Sequence, residues 1–273
     1  MKSIIKRFIP PVIIDLKNHL FKKKEIIHFN GLYNNWDEAA KQSTGYNTDL
    51  ILQKCKESLI KVRNGEAVFE RDSVLFDNIE YSWGVLAGLQ KAAIENNNQL
   101  CVLDFGGSLG SSYFQNKTFL KNLAKIDWCI VEQKNFVECG KKDFSSEELH
   151  FFHSIEECLQ LYRPNVLLLS SVMQYLDQPY EWLHRLIRQG IKYIIIDRTP
   201  FANSDRDFLT IQHVSKEVYE ASYPVWIFDK NLFLDTLMKN YRLIGEFPSI
   251  DKLEIRIQGQ LATYSGFLFE RSI

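Results

Sequence analysis

The sequence predicts an α/β fold: a seven-stranded, mostly parallel, doubly wound sheet preceded by an N-terminal helical cap. Two observations predict it. From residue 100 onward, short apolar runs alternate with amphipathic stretches, which is the pattern of buried parallel strands separated by helices. A glycine-rich turn follows the first apolar run, at the position where open α/β sheets bind their ligands.

Seven segments predict the strands of this sheet. Five apolar runs predict parallel strands at Leu100–Phe105, Trp128–Val131, Leu149–Phe152, Val166–Leu169 and Tyr193–Ile196. A helix at Leu232–Tyr241 then precedes two further strands, Arg242–Phe247 and Gln260–Phe269. The loop between these two has no helical pattern, so we expect them to pair antiparallel.

Before the first strand, the chain is predicted to be mainly helical. Apolar spacing predicts helices from Thr48 to about Asn64 and from Trp83 to Glu95. We divide the chain into an amphipathic segment (1–29), a helical cap (30–98) and the main domain (99–273). Residues 1–24 carry too many charges to span a bilayer, and they lack a small-residue cleavage site. They fit either a peripheral contact with an anionic membrane surface or a helix packed on the domain or on a partner subunit.

Composition narrows the class of partner. The 273 residues include 33 Lys and Arg against 34 Asp and Glu, and this balance argues against nucleic-acid binding and favours a small-molecule or glycan acceptor. The five cysteines are odd in number and widely spread. They predict a reducing compartment, with neither a disulfide framework nor a zinc site. We therefore expect a cytoplasmic protein, peripheral at the inner face of the membrane if residues 1–24 bind there, and leave its oligomeric state open.

The clearest local signal is the turn after the first strand, Asp104-Phe105-Gly106-Gly107-Ser108-Leu109-Gly110. Glycines there allow a ligand to approach the backbone and allow positive φ angles. A dinucleotide fingerprint would place its glycines at 106, 108 and 111, where the chain has serine at the last two positions. The turn instead resembles the D-x-G-x-G-x-G loop of class I S-adenosylmethionine (SAM)-dependent methyltransferases, with Ser108 in place of the middle glycine.

Two later segments stand in the order that this resemblance implies. Glu132 ends the second strand, 22 residues beyond Gly110, where an acid can accept the ribose hydroxyls of an adenosine cofactor. NAD-binding folds share this feature. The simpler alternative is that Glu132 is a solvated acid in a loop. After the fourth strand, Ser170, Ser171 and Gln174 would line the methionine moiety, although a serine-capped helix has the same pattern. By the same resemblance, His153 and Ser154 would lie on the adenine side, where many members carry an Asp.

A second resemblance concerns the acceptor. Upstream and downstream patterns are similar to a family of methyltransferases encoded in bacterial surface-polysaccharide (O-antigen and capsule) clusters. They comprise Trp36-x-x-Ala39, Ser43-x-Gly45-Tyr46, Asp197-Arg198-Thr199-Pro200-Phe201, Gln212, Tyr219 and Ser222-Tyr223-Pro224-x-Trp226. This resemblance implies O-methylation of a sugar, sugar nucleotide or surface-glycan intermediate.

O-methylation needs a base for the hydroxyl proton. His213 is the first candidate because histidine titrates near neutral pH, and Asp197 is the second. Arg198 would hold a phosphate or carboxylate of the acceptor, unless Asp197 and Arg198 are simply tied to the loop backbone. The predicted acceptor contacts are Tyr46, Gln212, Tyr219, Tyr223 and Trp226, although such aromatic residues also fill cores. We expect no metal, because the sulfonium methyl is already activated.

The sequence therefore predicts a SAM-dependent methyltransferase, with two alternatives. One is an NAD-linked sugar oxidoreductase or epimerase, which the glycine spacing and the absence of a Tyr-x-x-x-Lys dyad disfavour. The other is an inactive binding module with the methyltransferase fold, which Ser108 and the missing acid after the third strand would favour.

Overall fold

The computed structural model describes residues 27–45, 48–71, 73–215 and 220–272. The strands are β1 (Ile27–Tyr33), β2 (Phe69–Arg71), β3 (Val74–Phe76), β4 (Gln99–Phe105), β5 (Lys125–Val131), β6 (Leu149–Phe152), β7 (Val166–Ser170), β8 (Tyr193–Ala202), β9 (Phe208–Val214), β10 (Ala221–Asp229), β11 (Tyr241–Pro248), β12 (Glu254–Ile257) and β13 (Gln260–Arg271). The helices are α1 (Trp36–Gln42), α2 (Thr48–Arg63), α3 (Trp83–Ile94), α4 (Ser111–Leu120), α5 (Lys134–Asp143), α6 (Ile155–Leu161), α7 (Pro179–Ile187) and α8 (Lys230–Met238), with a 3₁₀ turn at Met173–Tyr175.

All seven predicted strands are present, in the spatial order β6-β5-β4-β7-β8-β13-β11. The first five run parallel to one another. β13 is antiparallel to both of its neighbours, so β11 again runs in the direction of the first five. The predicted fold class is confirmed: the protein is a mostly parallel, doubly wound, Rossmann-like α/β fold.

Both faces of the sheet are buried, which explains why its strands are continuous apolar runs. Successive side chains of a strand point to opposite faces. Val102 accordingly belongs to one apolar core, together with residues of α2 to α5, and Leu103 to a second core, together with residues of α6 to α8. This two-sided burial fixes the carboxyl ends of β4, β5, β7 and β8 along one edge.

Within the described residues the sheet has eleven strands rather than the seven predicted. β9 pairs antiparallel with β10 and with β1, and β12 pairs with β13. The sequence concealed β9 because it contains the polar residues Thr210 and Gln212, which are nevertheless buried in the structure. β1 alternates polar and apolar residues at the edge of the sheet, where no apolar run is required.

The helical cap predicted for residues 30–98 contains α1, α2 and α3, as well as most of β1 and the hairpin β2–β3. The proposed division of the chain at residues 29/30 and 98/99 stays a prediction. No helix in the described ranges is long and apolar enough to cross a membrane. Residues 1–24, for which a membrane contact was considered, lie outside those ranges.

Candidate active site

The glycine-rich turn follows β4 and contains three residues in the left-handed region of φ. Gly106, Ser108 and Gly110 have φ angles of +74°, +54° and +106°. The Gly106 N–H donates to the Val131 carbonyl at the end of β5 (2.9 Å), and Gly110 is the N-cap of α4. The turn thus lies at the carboxyl edge of β4 and β5. Ser108, which stands where the resemblance expects glycine, adopts the conformation that favours glycine.

Gly107 is needed for a separate reason. A Cβ atom at this position would lie 2.5 Å from the Asp104 carboxyl group. That carboxyl group is buried and accepts a hydrogen bond from Trp128 Nε1 (2.9 Å). Burial raises the pKa of Asp104 to about 7, with a further contribution from Glu132, while the bond from Trp128 opposes the rise. The Asp104 side chain therefore packs directly against the turn at Gly107.

Glu132 lies beside the turn, as the sequence predicted. Its Oε1 accepts the backbone N–H of Ser108 (3.2 Å) and its Oε2 accepts that of Gln133 (2.7 Å). Burial raises the pKa of Glu132, and the two N–H donors partly offset this effect. The carboxylate is consequently held at the tip of β5, facing the loop rather than bulk water.

The segment after β7 joins the same edge. Ser171 has φ +56° and its N–H donates to the Asp197 carbonyl (3.0 Å). Gln174 Nε2 donates to Ser171 Oγ (3.2 Å) and to the Arg198 carbonyl (3.1 Å). The Gln174 side chain is fully buried, yet its Oε1 has no hydrogen-bond partner. A buried acceptor without a partner is costly and is a place where a ligand donor fits.

Asp197 lies in the middle of β8, opposite Ser170 at the end of β7, and is 3% exposed. Its carboxylate accepts hydrogen bonds from Ser82 Oγ (3.2 Å) and Ser170 Oγ (3.5 Å). Burial raises the pKa of Asp197 to about 6, although the Arg198 charge opposes the rise. A carboxylate with this pKa can exchange a proton near neutral pH.

Arg198 points to an acid that the sequence analysis missed. It has φ +53°, and its Nε donates to Asp251 Oδ2 (2.6 Å). Asp251 also faces Arg71 Nε of the β2–β3 hairpin (3.5 Å). Burial pushes the pKa of Asp251 up, but the two arginines outweigh it and the pKa lies below its usual value. Ser108 after β4, Ser171 after β7 and Arg198 within β8 are thus three strained residues along the same edge, as functional sites often have.

The β2–β3 hairpin also reaches the glycine turn. Glu70 is 2% exposed and accepts hydrogen bonds from Ser111 Oγ, at the start of α4, and from the Ser73 N–H (3.2 Å). The hairpin therefore contacts both the turn and, through Arg71, the Asp251 side. No local motif marks Glu70, Arg71, Ser82 or Asp251, because each meets its partner only through the tertiary fold.

His153 and Ser154 have local structural roles at the end of β6. His153 is exposed and its N–H donates to Glu157 Oε2 (2.7 Å). Ser154 caps α6, accepting the Glu157 N–H at 3.1 Å. This capping-box arrangement explains both residue types without a ligand. Their cofactor contacts remain predictions.

Gln212 and Tyr223 face the segment after β7. Gln212 Oε1 accepts from Tyr175 OH (3.1 Å), and Gln212 Nε2 donates to Tyr223 OH (3.2 Å). Trp226 Nε1 donates to the Leu176 carbonyl (3.1 Å). These bonds anchor β9 and β10 to the loop beside the site, and acceptor binding by the three predicted residues remains a prediction. Tyr46 and Tyr219 lie outside the described residues.

The structure does not bring His213 into this group. Because side chains alternate along β9, His213 points to the face opposite Gln212. There its ring stacks on His28 of β1, with centroids 4.7 Å apart. Burial and the neighbouring His28 lower the pKa of His213. The structure thus favours Asp197, the second candidate base, over His213.

Comparison with known proteins yields a resemblance of fold alone. No protein-family model and no curated protein matches the chain. The N-terminal domain of EvdMO1 with SAH (S-adenosylhomocysteine) bound is 12% identical, with 79% of this chain and 96% of that chain covered and a TM-score of 0.44. A SAM-dependent methyltransferase from Clostridium acetobutylicum ATCC 824 is 10% identical, with coverage of 79% and 97% and a TM-score of 0.44. Similarities this remote carry no argument about the activity of this chain.

Proposed function

We propose that the chain is a SAM-dependent methyltransferase that methylates a hydroxyl group of a sugar, sugar nucleotide or surface-glycan intermediate. One observation carries the proposal: Glu132 Oε1 lies 3.2 Å from the Ser108 nitrogen, so the acid of β5 and the glycine turn of β4 are in direct contact. Both lie at the carboxyl edge of a doubly wound sheet, which is where this fold class binds its ligands.

The residues present fit such a cofactor. Each Glu132 oxygen accepts one backbone N–H and retains a lone pair for a ribose hydroxyl. Gln174 Oε1, buried without a partner, would accept a hydrogen bond from the amino-acid end. Bound SAM would supply a methyl group already activated by its sulfonium. The chain then needs to align the acceptor oxygen with the methyl group and to take up one proton.

Asp197 is the proposed base. As the acceptor oxygen bonds to the methyl group, its proton would pass to the Asp197 carboxylate and the methyl–sulfur bond would break, which leaves S-adenosylhomocysteine. With a pKa of about 6, Asp197 is mostly ionised at neutral pH. Its bonds from Ser82 and Ser170 would orient the carboxylate. The acceptor class rests on the resemblance to the surface-polysaccharide methyltransferases.

The test is calorimetric titration of the full chain with SAM, S-adenosylhomocysteine and, for comparison, NAD. We expect the first two to bind and NAD to bind much more weakly, because the turn lacks the dinucleotide glycine spacing. Transfer of labelled methyl from SAM to bacterial glycan precursors would then test the activity. Failure of both sulfur ligands to bind at millimolar concentration would refute the proposal, and binding without transfer to any glycan precursor would favour the inactive-module alternative.

A further inference from the structure

A cavity is lined by Asp251, the hydrogen-bond partner of Arg198, in a part of the chain that the sequence did not connect with the acceptor. It has a volume of about 480 Å³ and lies between the end of β11, β12 and the first half of β13. Its lining includes Phe247, Ser249, Asp251, Thr263 and Ser265. This volume falls within the range of about 300–1,000 Å³ that is typical of small-molecule sites.

Two contacts connect the cavity to the middle of β8. Asp251 lines the cavity and accepts the 2.6 Å hydrogen bond from Arg198, the residue next to the proposed base. Ser265 also lines it and pairs across the sheet with Thr199, two residues beyond Asp197. The cavity therefore opens at the carboxyl edge of the sheet, beside the residues that we expect to act on the acceptor.

The charged side chains at the cavity balance one another: Lys252 and Glu254 line it with opposite charges, and its two other acids are paired with basic residues. Glu246 is neutralised by Lys230 (2.7 Å). Asp251 is neutralised by Arg198, with Arg71 also near (3.5 Å). Arg71 in turn has Glu80 at 3.7 Å. A phosphate or carboxylate entering here would therefore meet no net positive charge.

The remaining lining is rich in hydroxyl groups and contains a fixed aromatic ring. Hydroxyl side chains come from Ser249, Thr263, Tyr264 and Ser265. The Phe247 ring packs against Gly84 and Gly266, since a Cβ atom at either glycine would lie 2.1 Å from it, and the ring is therefore held in place. Hydroxyl groups that both donate and accept hydrogen bonds suit a ligand that is itself rich in hydroxyls.

We propose that this cavity binds the acceptor, and that the moiety it holds is an uncharged, polyhydroxylated one of carbohydrate type. The inference rests on the proposed function and assigns a site to its substrate. It places the acceptor against β11–β13, and not against the β9–β10 residues that the sequence indicated.

The test uses saturation-transfer NMR on the full chain, with methyl glycosides of neutral hexoses and deoxyhexoses as probes and with uronic acids and hexose phosphates as the charged set. Thr263→Trp fills the cavity from an exposed position of β13. Leu261→Trp is the matched control, because it lies on the same face of β13, is 45% exposed and does not line the cavity. Thr263→Val keeps the shape and removes one hydroxyl.

We expect neutral glycosides to bind the wild type and the Leu261→Trp variant, and to bind Thr263→Trp at least about tenfold more weakly. Thr263→Val should lose about fivefold, which corresponds to one hydrogen bond. S-adenosylhomocysteine binding should be the same in all four proteins. Three results would overturn the inference. They are signals from charged sugars alone, no signal from any neutral glycoside, and equal binding by the two Trp variants. A wild type that fails to bind S-adenosylhomocysteine would instead count against the proposed function.

Discussion

Glu132 offers the sharpest test of the site, because its carboxylate connects the loop to the proposed cofactor. The substitution Glu132→Gln keeps the size and shape of the side chain and removes its charge. In the present structure both oxygens accept backbone N–H groups, from Ser108 (3.2 Å) and from Gln133 (2.7 Å). A glutamine must turn its NH₂ group toward one of these donors, where no hydrogen bond can form.

The size of the effect follows from the lone pairs. An ionised carboxylate accepts about four hydrogen bonds, so two acceptor positions of Glu132 remain for the two ribose hydroxyls. A hydrogen bond to a charged group contributes roughly 1.5–3 kcal/mol. Loss of the charge and of one acceptor oxygen should therefore cost about 3 kcal/mol, or about 100-fold in the Kd for S-adenosylhomocysteine.

The assay is calorimetric titration of S-adenosylhomocysteine into the wild type, Glu132→Gln and Glu138→Gln. Glu138 is a suitable control because it is an exposed acid on the following helix, α5, and its nearest basic partner, Lys134, is 3.8 Å away. Its substitution should leave the Kd unchanged. Circular dichroism checks that all three proteins are folded. If folded Glu132→Gln binds within about threefold of the wild type, the carboxylate does not hold the cofactor.

Three further predictions follow from the same edge of the sheet. Burial raises the pKa of Asp104 from 3.8 to about 7, so the folded state favours its neutral form. The raised pKa contributes about 4 kcal/mol to the free energy of unfolding below pH 3.8, and this contribution is lost as the pH rises to 7. Urea unfolding at several pH values should show this loss in the wild type and not in Asp104→Asn, and parallel pH profiles would contradict it. Gly107→Ala should lower the free energy of unfolding by about 1–3 kcal/mol because of the clash with Asp104. Gly245→Ala, where a Cβ atom meets nothing within 4 Å, should cost much less, and equal losses in thermal denaturation would refute the steric argument. Asp197→Asn should lower kcat by about 100-fold or more without weakening S-adenosylhomocysteine binding, while His213→Ala retains activity. The wild-type rate should rise as pH passes about 6, and a rate that depends on His213 instead would return the base role to that residue.

Much of the cofactor side could be predicted from the sequence because its signals are local. A buried strand, a turn rich in glycine and an acid at the end of the next strand each occupy a few consecutive residues. The parallel sheet then brings Ser108 and Glu132 together, since neighbouring strands end at the same edge. The sequence distinguishes Gly107 from the other glycines of the turn by no signal, whereas the structure shows that it makes room for Asp104.

The acceptor side could not be predicted in the same way. His213 was the first candidate base because of its chemistry, but the pairing of β9 with β1 and β10 decides which face it occupies. Which of two adjacent residues in a strand faces the site is a question of register, and β9 has polar residues on both faces that conceal it. Gln212 therefore faces the site while His213 stacks on His28.

The sequence by itself determined the class of fold, the positions of its central strands along the chain and the position of the glycine turn, because each leaves a pattern in consecutive residues. Only the tertiary structure decided how the edge of the sheet is completed. Ser82 reaches Asp197 across 115 residues, and Asp251 reaches Arg198 across 53. Such contacts leave no periodic trace in the sequence, because a single polar side chain in a loop can meet its partner only after the apolar core has set the elements in place.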